Sequence, residues 1–161
     1  MMIEIGKEVP VVGLKIMTSE GIKDASFEGI FKGKKVALFA VPGAFTPTCS
    51  NIHLPSFSQE AQALKSKGVD AVYCVAVNDP FVLEAWKKSA NIHDEIQMLS
   101  DGNCDFTRAS GMELDGRGAG LGWRSNRYSL LAEDGIVKVL NIETAPGECK
   151  VSDGKTLLSQ L

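Results

Sequence analysis

The sequence predicts an α/β fold in which a mixed central β-sheet is flanked by helices. Apolar runs of strand length alternate along the chain with segments that have helical periodicity. The strongest strand candidate, Lys35–Val41, is almost continuously apolar, as expected of a strand that is covered on both faces. The alternation therefore indicates a layered α/β domain.

The first half of the chain contains two helix predictions around a second buried strand. Residues 56–67 place Phe57, Ala61 and Leu64 on one helical stripe that ends at Gly68, a suitable C-terminal cap. Residues 69–77 predict the second buried strand. Asp79-Pro80 then offers a capping side chain followed by proline at the first helical position, and the helix extends to about residue 90.

The second half predicts shorter elements. A short strand at 96–99 and a short helix at 105–110 are followed by a hairpin, with strands at 128–132 and Ile136–Ile142 around Glu133-Asp134-Gly135. A terminal helix is expected at 156–161. No internal repeat or Pro/Gly-rich linker divides the sequence, so we interpret residues 1–161 as a single domain.

Composition narrows the class of protein. Of the 161 residues, 44% are hydrophobic and 23% are charged, with a net charge of −3, which is typical of a soluble globular protein without a nucleic-acid or membrane partner. No apolar run approaches a membrane span, and the first ten residues lack a targeting composition. We therefore expect a cytoplasmic protein; the C-terminal Ser-Gln-Leu leaves a peroxisome open if the source is eukaryotic.

One cysteine lies where catalysis is expected. The loop from Pro42 to Cys49 leaves the carboxyl end of the strand Lys35–Val41, the edge at which open α/β sheets place their sites. We expect Thr48 to cap the next helix, so that Cys49 lies in its first turn, where unpaired N–H groups and the helix dipole stabilise a nucleophilic thiolate. On its position alone, the alternative interpretation of Cys49 is a small buried residue of the core without a catalytic role.

The spacing around this cysteine resembles a known family. Pro42, Thr46 and Cys49 match Pro-x-x-x-Thr-x-x-Cys, the signature of peroxiredoxins, and the wording Gly-Ala-Phe-Thr-Pro-Thr-Cys is similar to the atypical type-II branch, also called type five. The resemblance continues through residues 77–81, 115–122 and 127–131. It implies a thioredoxin-like fold and an antioxidant enzyme that reduces hydrogen peroxide and alkyl hydroperoxides through a cysteine sulfenic acid.

The same resemblance assigns roles to the site residues. Cys49 is the attacking cysteine, Thr46 and Arg127 activate the peroxide, and Pro42 shapes the pocket. An arginine suits this task because it supplies a permanent charge and several fixed donors. Without the resemblance, Arg127 would be interpreted as an exposed charge at a strand end, and Arg124 is a nearby rival for the cationic role.

The sulfenic acid must be returned to the thiol, and three routes remain open. Cys74, in a predicted buried strand, and Cys149, in a polar loop, are possible resolving cysteines, whereas Cys104 is expected to be incidental. If neither resolves, the reductant is external: glutathione with glutaredoxin, or thioredoxin, in that order of preference. The resemblance also implies a homodimer and no prosthetic cofactor.

Other functions are less well supported by the sequence. The spacing of the cysteines and of His53 and His93 predicts no metal site, and both histidines are expected on helix surfaces. The glycine-rich segment 116–122 is interpreted as a flexible loop and not as a phosphate-binding loop. A thiol–disulfide oxidoreductase would require Cys-x-x-Cys, which is absent, and a redox sensor or chaperone-like protein using Cys49 is the non-enzymatic alternative.

Overall fold

The computed structural model describes residues 2–161, which form a seven-stranded mixed sheet with helices on its faces, together with a two-stranded ribbon. The strands are β1 (Lys15–Thr18), β2 (Gly21–Asp24), β3 (Lys35–Val41), β4 (Ala71–Ala76), β5 (Gln97–Ser100), β6 (Glu113–Asp115), β7 (Trp123–Ser125), β8 (Tyr128–Glu133) and β9 (Ile136–Ile142). The helices are α1 (Phe27–Ile30), α2 (Leu54–Ser66), α3 (Pro80–Ser89), α4 (Asp105–Ala109) and α5 (Gly154–Ser159).

The order of strands in the large sheet is β2-β1-β5-β4-β3-β8-β9, and β6 pairs with β7 in the ribbon. β4 lies parallel to both β3 and β5, whereas β8 lies antiparallel to β3. The expected mixed α/β sheet flanked by helices is confirmed.

The central strand β3 divides the core into two layers. Because side chains alternate between the faces of a strand, Ala37, Phe39 and Val41 pack on one face with α2 and α3, while Val36, Leu38 and Ala40 pack on the other. Phe39 stacks on Phe57 of α2 with ring centroids 4.1 Å apart. This contact fixes α2, and therefore the turn before it, against the sheet.

Several local predictions are confirmed by the structure. The strand Lys35–Val41 has the expected bounds, and Asp79 caps α3 by accepting a hydrogen bond of 2.9 Å from the Val82 N–H. The β8–β9 hairpin turns at Asp134 and Gly135, which both have positive φ. Gly135 is required here for a second reason, since a Cβ atom would lie 2.1 Å from the Phe27 ring.

Other boundaries differ from the predictions. Thr48 was expected to cap a helix, but its backbone is itself helical and its side chain makes no capping bond; the residues that follow, Cys49–His53, form a π-helical turn that continues into α2. The terminal helix begins at Gly154 instead of residue 156, because Asp153 caps it through the Thr156 N–H. The Thr48 hydroxyl donates instead to the Gly147 carbonyl of a distant loop, whereas the start of the terminal helix is set by its local cap.

Candidate active site

Cys49 lies at the start of the π-helical turn, directly beyond the loop that leaves the carboxyl end of β3. Its side chain is completely buried. The loop is held by short local bonds, in which Ser50 N–H donates to the Thr46 carbonyl at 2.9 Å and Thr46 Oγ1 donates to the Gly43 carbonyl at 2.7 Å. The sulfur therefore has a fixed position at the edge of the sheet.

Arg127 reaches this sulfur from the neighbouring strand. Ala40 of β3 pairs with Tyr128 of β8, so the residue before Tyr128 lies beside the point where the cysteine loop begins. Arg127 Nη2 donates to Cys49 Sγ at 3.2 Å, and the arginine is only 2% exposed. The structure thus brings together two residues that are 78 positions apart.

Three of the other four N–H groups of Arg127 are also used, and the second N–H of Nη1 is left without a protein acceptor among the described residues. Nε and Nη2 donate to the Pro146 carbonyl at 3.2 and 3.0 Å, and Nη1 donates to His53 Nδ1 at 3.0 Å. Within residues 2–161, no carboxylate forms an ion pair with this guanidinium. A buried guanidinium without a carboxylate partner is costly, and the group that it contacts in place of a carboxylate is the Cys49 sulfur.

His53 is part of this network, although the sequence predicted it on a helix surface; that prediction is wrong. Its side chain is completely buried and packs against Phe39, at 4.9 Å between ring centroids. Because arginine can only donate, His53 Nδ1 must accept from Arg127, and Nε2–H donates to the Ser152 carbonyl at 2.8 Å. Burial, and next the charge of Arg127, lower the pKa of His53 to about 3.

A sequence signal for His53 did exist. The histidine follows Cys49 by four positions, so that in a helical turn the two residues share a face. Its hydrogen-bond partners, Arg127 and Ser152, however, lie 74 and 99 positions away in the sequence. No local sequence pattern predicts these contacts.

Thr46, Pro42 and Arg127 line a cavity of about 330 Å³. The segments 114–121 and 146–147 form the remaining wall. Since the Thr46 hydroxyl proton points to the Gly43 carbonyl, the lone pairs of Oγ1 are available to accept a hydrogen bond from a molecule in this cavity. Cys49 is buried beneath the surface, and Arg127 is the residue that both lines the cavity and contacts the sulfur.

Arg124, the rival for the cationic role, occupies a different position. Its Nε donates to the Leu121 carbonyl at 2.8 Å and its Nη1 lies 3.4 Å from the Pro42 carbonyl. These bonds tie the loop before β7 to the cysteine loop. The structure therefore places Arg127, and not Arg124, on the sulfur.

The other cysteines are all unpaired thiols. Cys74 is completely buried in β4, and burial raises the pKa of its thiol well above the ordinary value. Cys149 is half-buried, 3.9 Å from Ser152 Oγ, and burial also raises its pKa. Cys104 is buried in a left-handed backbone conformation before α4.

Residues 2–161 show neither a metal-binding cluster nor a membrane-spanning helix. No group of three or more His, Cys, Asp or Glu side chains in this range is arranged to hold a metal ion. None of the helices is both long enough and apolar enough to cross a membrane.

Comparison with known proteins places this geometry in a family. The Redoxin family model matches residues 4–158. The chain is 50% identical to Arabidopsis thaliana Peroxiredoxin-2E, chloroplastic, over 88% of its own length and 62% of the relative's. It is 48% identical to Oryza sativa Peroxiredoxin-2C, over 87% of its own length and 86% of the relative's.

Comparison with a solved structure supports the same family assignment. The crystal structure of reduced Prx3 in complex with hydrogen peroxide, from Vibrio vulnificus, superposes with a TM-score of 0.93 at 46% identity, and the match covers 99% of both chains. The thioredoxin-like fold that the resemblance implied is thereby confirmed. The chain belongs to the peroxiredoxin family, and it is a thiol-dependent peroxidase of antioxidant function.

Proposed function

We propose that Cys49 is the peroxidatic cysteine and that Arg127, Thr46 and Pro42 form its catalytic surroundings. The observation that carries the proposal is the 3.2 Å contact between Arg127 Nη2 and Cys49 Sγ, in which a buried cation without a carboxylate partner meets a buried sulfur. Such an arrangement supports the thiolate, which is the nucleophilic form of cysteine.

The chemical step is an attack of the Cys49 thiolate on one oxygen of the hydroperoxide. A sulfur–oxygen bond forms while the oxygen–oxygen bond breaks, so the sulfur is oxidised to a sulfenic acid by two electrons. The leaving hydroxide or alkoxide takes up the proton that the thiol released to solvent on ionising, and departs as water or an alcohol. Hydrogen peroxide and alkyl hydroperoxides both satisfy this balance.

Thr46 and Arg127 both line the cavity and would orient the peroxide. Thr46 Oγ1 accepts from the peroxide O–H, because its own proton is committed to the Gly43 carbonyl. Arg127 donates to the oxygen on which negative charge develops, and fixed donors of this kind stabilise a transition state. Pro42, in the cavity wall, limits the access of water to the sulfenic acid.

We favour an external thiol for the return to the reduced state, glutathione with glutaredoxin before thioredoxin. A thiol attacks the sulfenic acid with loss of water, and a second thiol reduces the resulting mixed disulfide. Cys74 is a weak internal candidate because β4 is held by parallel ladders on both sides. Cys149 is a stronger one, since its loop contacts Arg127 and His53.

Four further assignments complete the proposal. The wording of the Pro42–Cys49 loop supports the atypical type-II, or type-five, branch, and the single large sheet supports one domain over residues 1–161. A homodimer is supported by two exposed aromatic side chains, Phe45 in the cysteine loop and Phe81 in the first turn of α3. For location we retain the cytoplasm, while relatives include chloroplastic and mitochondrial proteins.

The test is rapid mixing of the reduced protein with hydrogen peroxide. Cys49→Ser should abolish fast oxidation, whereas the matched control Cys104→Ser should keep it. Mass spectrometry should show one added oxygen on Cys49 and, with glutathione present, an adduct; loss of two hydrogens would instead indicate an internal disulfide. Fast oxidation of Cys49→Ser, or a wild type no faster than free cysteine, would refute the proposed role and favour the oxidoreductase or sensor alternatives.

A further inference from the structure

The loop between β9 and α5 contacts Arg127, His53 and Thr48 through its carbonyl groups. The Pro146 carbonyl accepts from Arg127, and the Ser152 carbonyl accepts from His53 at 2.8 Å. The Gly147 carbonyl accepts from Thr48 Oγ1, next to the attacking cysteine, at 3.0 Å. The position of the guanidinium therefore depends on the position of residues 146–152, which we call the carbonyl loop.

Glu143 holds the carbonyl loop in place. Both of its carboxylate oxygens accept from the Lys150 N–H, at 3.0 and 3.1 Å, and Oε2 also accepts from the N–H groups of Val151 and Ser152, at 2.9 and 2.7 Å. Burial alone would raise the pKa of this carboxyl group, but hydrogen bonds from Ser152 and the neighbouring backbone outweigh burial and lower it. Glu143 is thus an ionised acceptor at neutral pH.

The backbone of Glu143 connects it to the same arginine. The Glu143 N–H donates to the Arg127 carbonyl at 3.0 Å. The backbone of Glu143 is therefore bonded directly to the residue whose guanidinium the Glu143 carboxylate helps to position. The contacts form a closed circuit, from Arg127 to Glu143, to the Ser152 amide and carbonyl, to His53 and back to the guanidinium. Because His53 is neutral, it adds no charge to the site. It links the position of the Ser152 carbonyl to the position of the Arg127 guanidinium through its two hydrogen bonds.

We propose that Glu143 is a positioning residue for peroxide reduction, which acts through the carbonyl loop and His53 to hold the Arg127 guanidinium against the Cys49 sulfur. This inference rests on the proposed roles of Cys49 and Arg127. Glu143 itself makes no hydrogen bond to the sulfur among the described residues, so its effect is indirect.

The geometry distinguishes two substitutions. Glu143→Ala removes every acceptor. Glu143→Gln keeps one oxygen, which can occupy the Oε2 position and retain the bonds to Val151 and Ser152. Glu148→Ala is the matched control, because Glu148 lies in the same loop but is paired with Thr144 and Lys150 at the surface.

The experiment measures peroxide oxidation by rapid mixing and the ultraviolet absorbance of the Cys49 thiolate at neutral pH. Glu143→Ala should oxidise about tenfold more slowly, as is usual when a hydrogen-bonded support of a site residue is lost, with a parallel loss of thiolate absorbance. Glu143→Gln should stay within about twofold of the wild type, since its one oxygen can keep the three bonds that Oε2 accepts, although without the negative charge. Glu148→Ala should leave both readouts unchanged.

The outcomes separate this inference from the proposed site. If Glu143→Ala loses thermal stability but its folded molecules keep the wild-type rate and absorbance, Glu143 is only a structural support and the positioning role is overturned. If Glu143→Ala does not fold, Glu143→Asp, with its carboxylate withdrawn by one methylene, decides by the same two readouts. If Cys49→Ser and Arg127→Met keep fast oxidation, the site assignment itself has failed.

Discussion

At the residue scale, the site depends on properties that only arginine combines. Arg127 uses Nε, Nη1 and Nη2 at once, toward Pro146, His53 and Cys49. A lysine ammonium is a point charge on a flexible stem and would not satisfy this planar set of acceptors. The guanidinium is therefore fixed by its acceptors before any peroxide arrives, which limits the reorganisation needed in the transition state.

His53 makes a residue-scale prediction about pH and stability. Its native pKa is about 3, against 6.5 for the ordinary side chain. Between these values the unfolded chain binds more protons than the native one, so the free energy of unfolding falls as pH falls below 6.5, by at most about 1.4 kcal/mol per pH unit. Full stability from this group is present above 6.5.

Urea unfolding from neutral pH down to about pH 5 measures this dependence before most carboxylates protonate. His53→Gln is the informative variant, because glutamine can accept from Arg127 and donate to the Ser152 carbonyl without titrating. Its stability should fall less steeply with pH than that of the wild type, while the exposed-residue control His93→Gln should follow the wild type. Parallel curves for wild type and His53→Gln would contradict the neutral, buried assignment.

Residues of the site differed in how far they could be predicted. The family resemblance indicates four site residues: Cys49, Thr46, Pro42 and Arg127. In the structure Arg127 contacts the Cys49 sulfur, and Arg127, Thr46 and Pro42 line one cavity. His53 and Glu143 were not identified as site residues. Their roles depend on carbonyl and amide groups of a distant loop, which carry no signature in the side-chain sequence.

At the element scale, the π-helical turn Cys49–His53 is the part of the site that we expect to move when the sulfenic acid is reduced. Cys49 is completely buried, so a second thiol cannot reach its sulfenic acid without displacement of this turn. The turn is attached to α3 by a single side-chain bond, from Trp86 Nε1 to Ser50 Oγ at 3.0 Å. π-helical turns are common at functional sites.

Trp86 should therefore report the opening of this turn. We expect its fluorescence to change when the mixed disulfide with glutathione forms on Cys49, because the bond to Ser50 is then broken. The sequence contains one other tryptophan, Trp123, so Trp123→Phe should retain the signal and Trp86→Phe should lose it. A signal that persists in Trp86→Phe, or that is absent while mass spectrometry shows the adduct, would contradict this motion.

Elements were predictable where they bury a continuous apolar run. β3, with its uninterrupted buried sequence, was predicted with the correct bounds. The short strands β1, β2, β6 and β7 were not predicted, because they are three or four residues long and largely exposed or half-buried. Their pairing is set by the sheet and by the loops around the cavity rather than by local propensity.

At the scale of the whole molecule, the exposed aromatic residues near the site suggest where a second copy would dock. Phe81 is 68% exposed, and Phe45 is 56% exposed with a positive φ of 64°, an uncommon conformation for a bulky residue. The Ala44 N–H donates to Asn78 Oδ1 at 2.9 Å, which joins the loop of Phe45 to the segment just before α3 and Phe81. The two aromatic side chains can therefore form one apolar contact surface.

Light scattering after size-exclusion chromatography tests this assignment. The wild type should elute as a dimer, and Phe81→Glu should shift it toward the monomer because a charge is placed in an apolar contact. Val12→Glu is the control, since Val12 is another exposed apolar residue, 45% accessible, remote in sequence from Phe45 and Phe81. A wild-type monomer, or a Phe81→Glu dimer as stable as the wild type, would contradict the proposed surface.

The fold as a whole brings the site together from three distant segments: the cysteine loop after β3, Arg127 before β8, and the carbonyl loop after β9. The central claim is that the buried Arg127 guanidinium makes Cys49 reactive. The most direct measurement is the rate of peroxide oxidation of Arg127→Met beside Arg108→Met, an exposed arginine of α4. Loss of fixed donors predicts a rate about 100-fold lower for Arg127→Met only. A rate for Arg127→Met within about twofold of the wild type would contradict the claim.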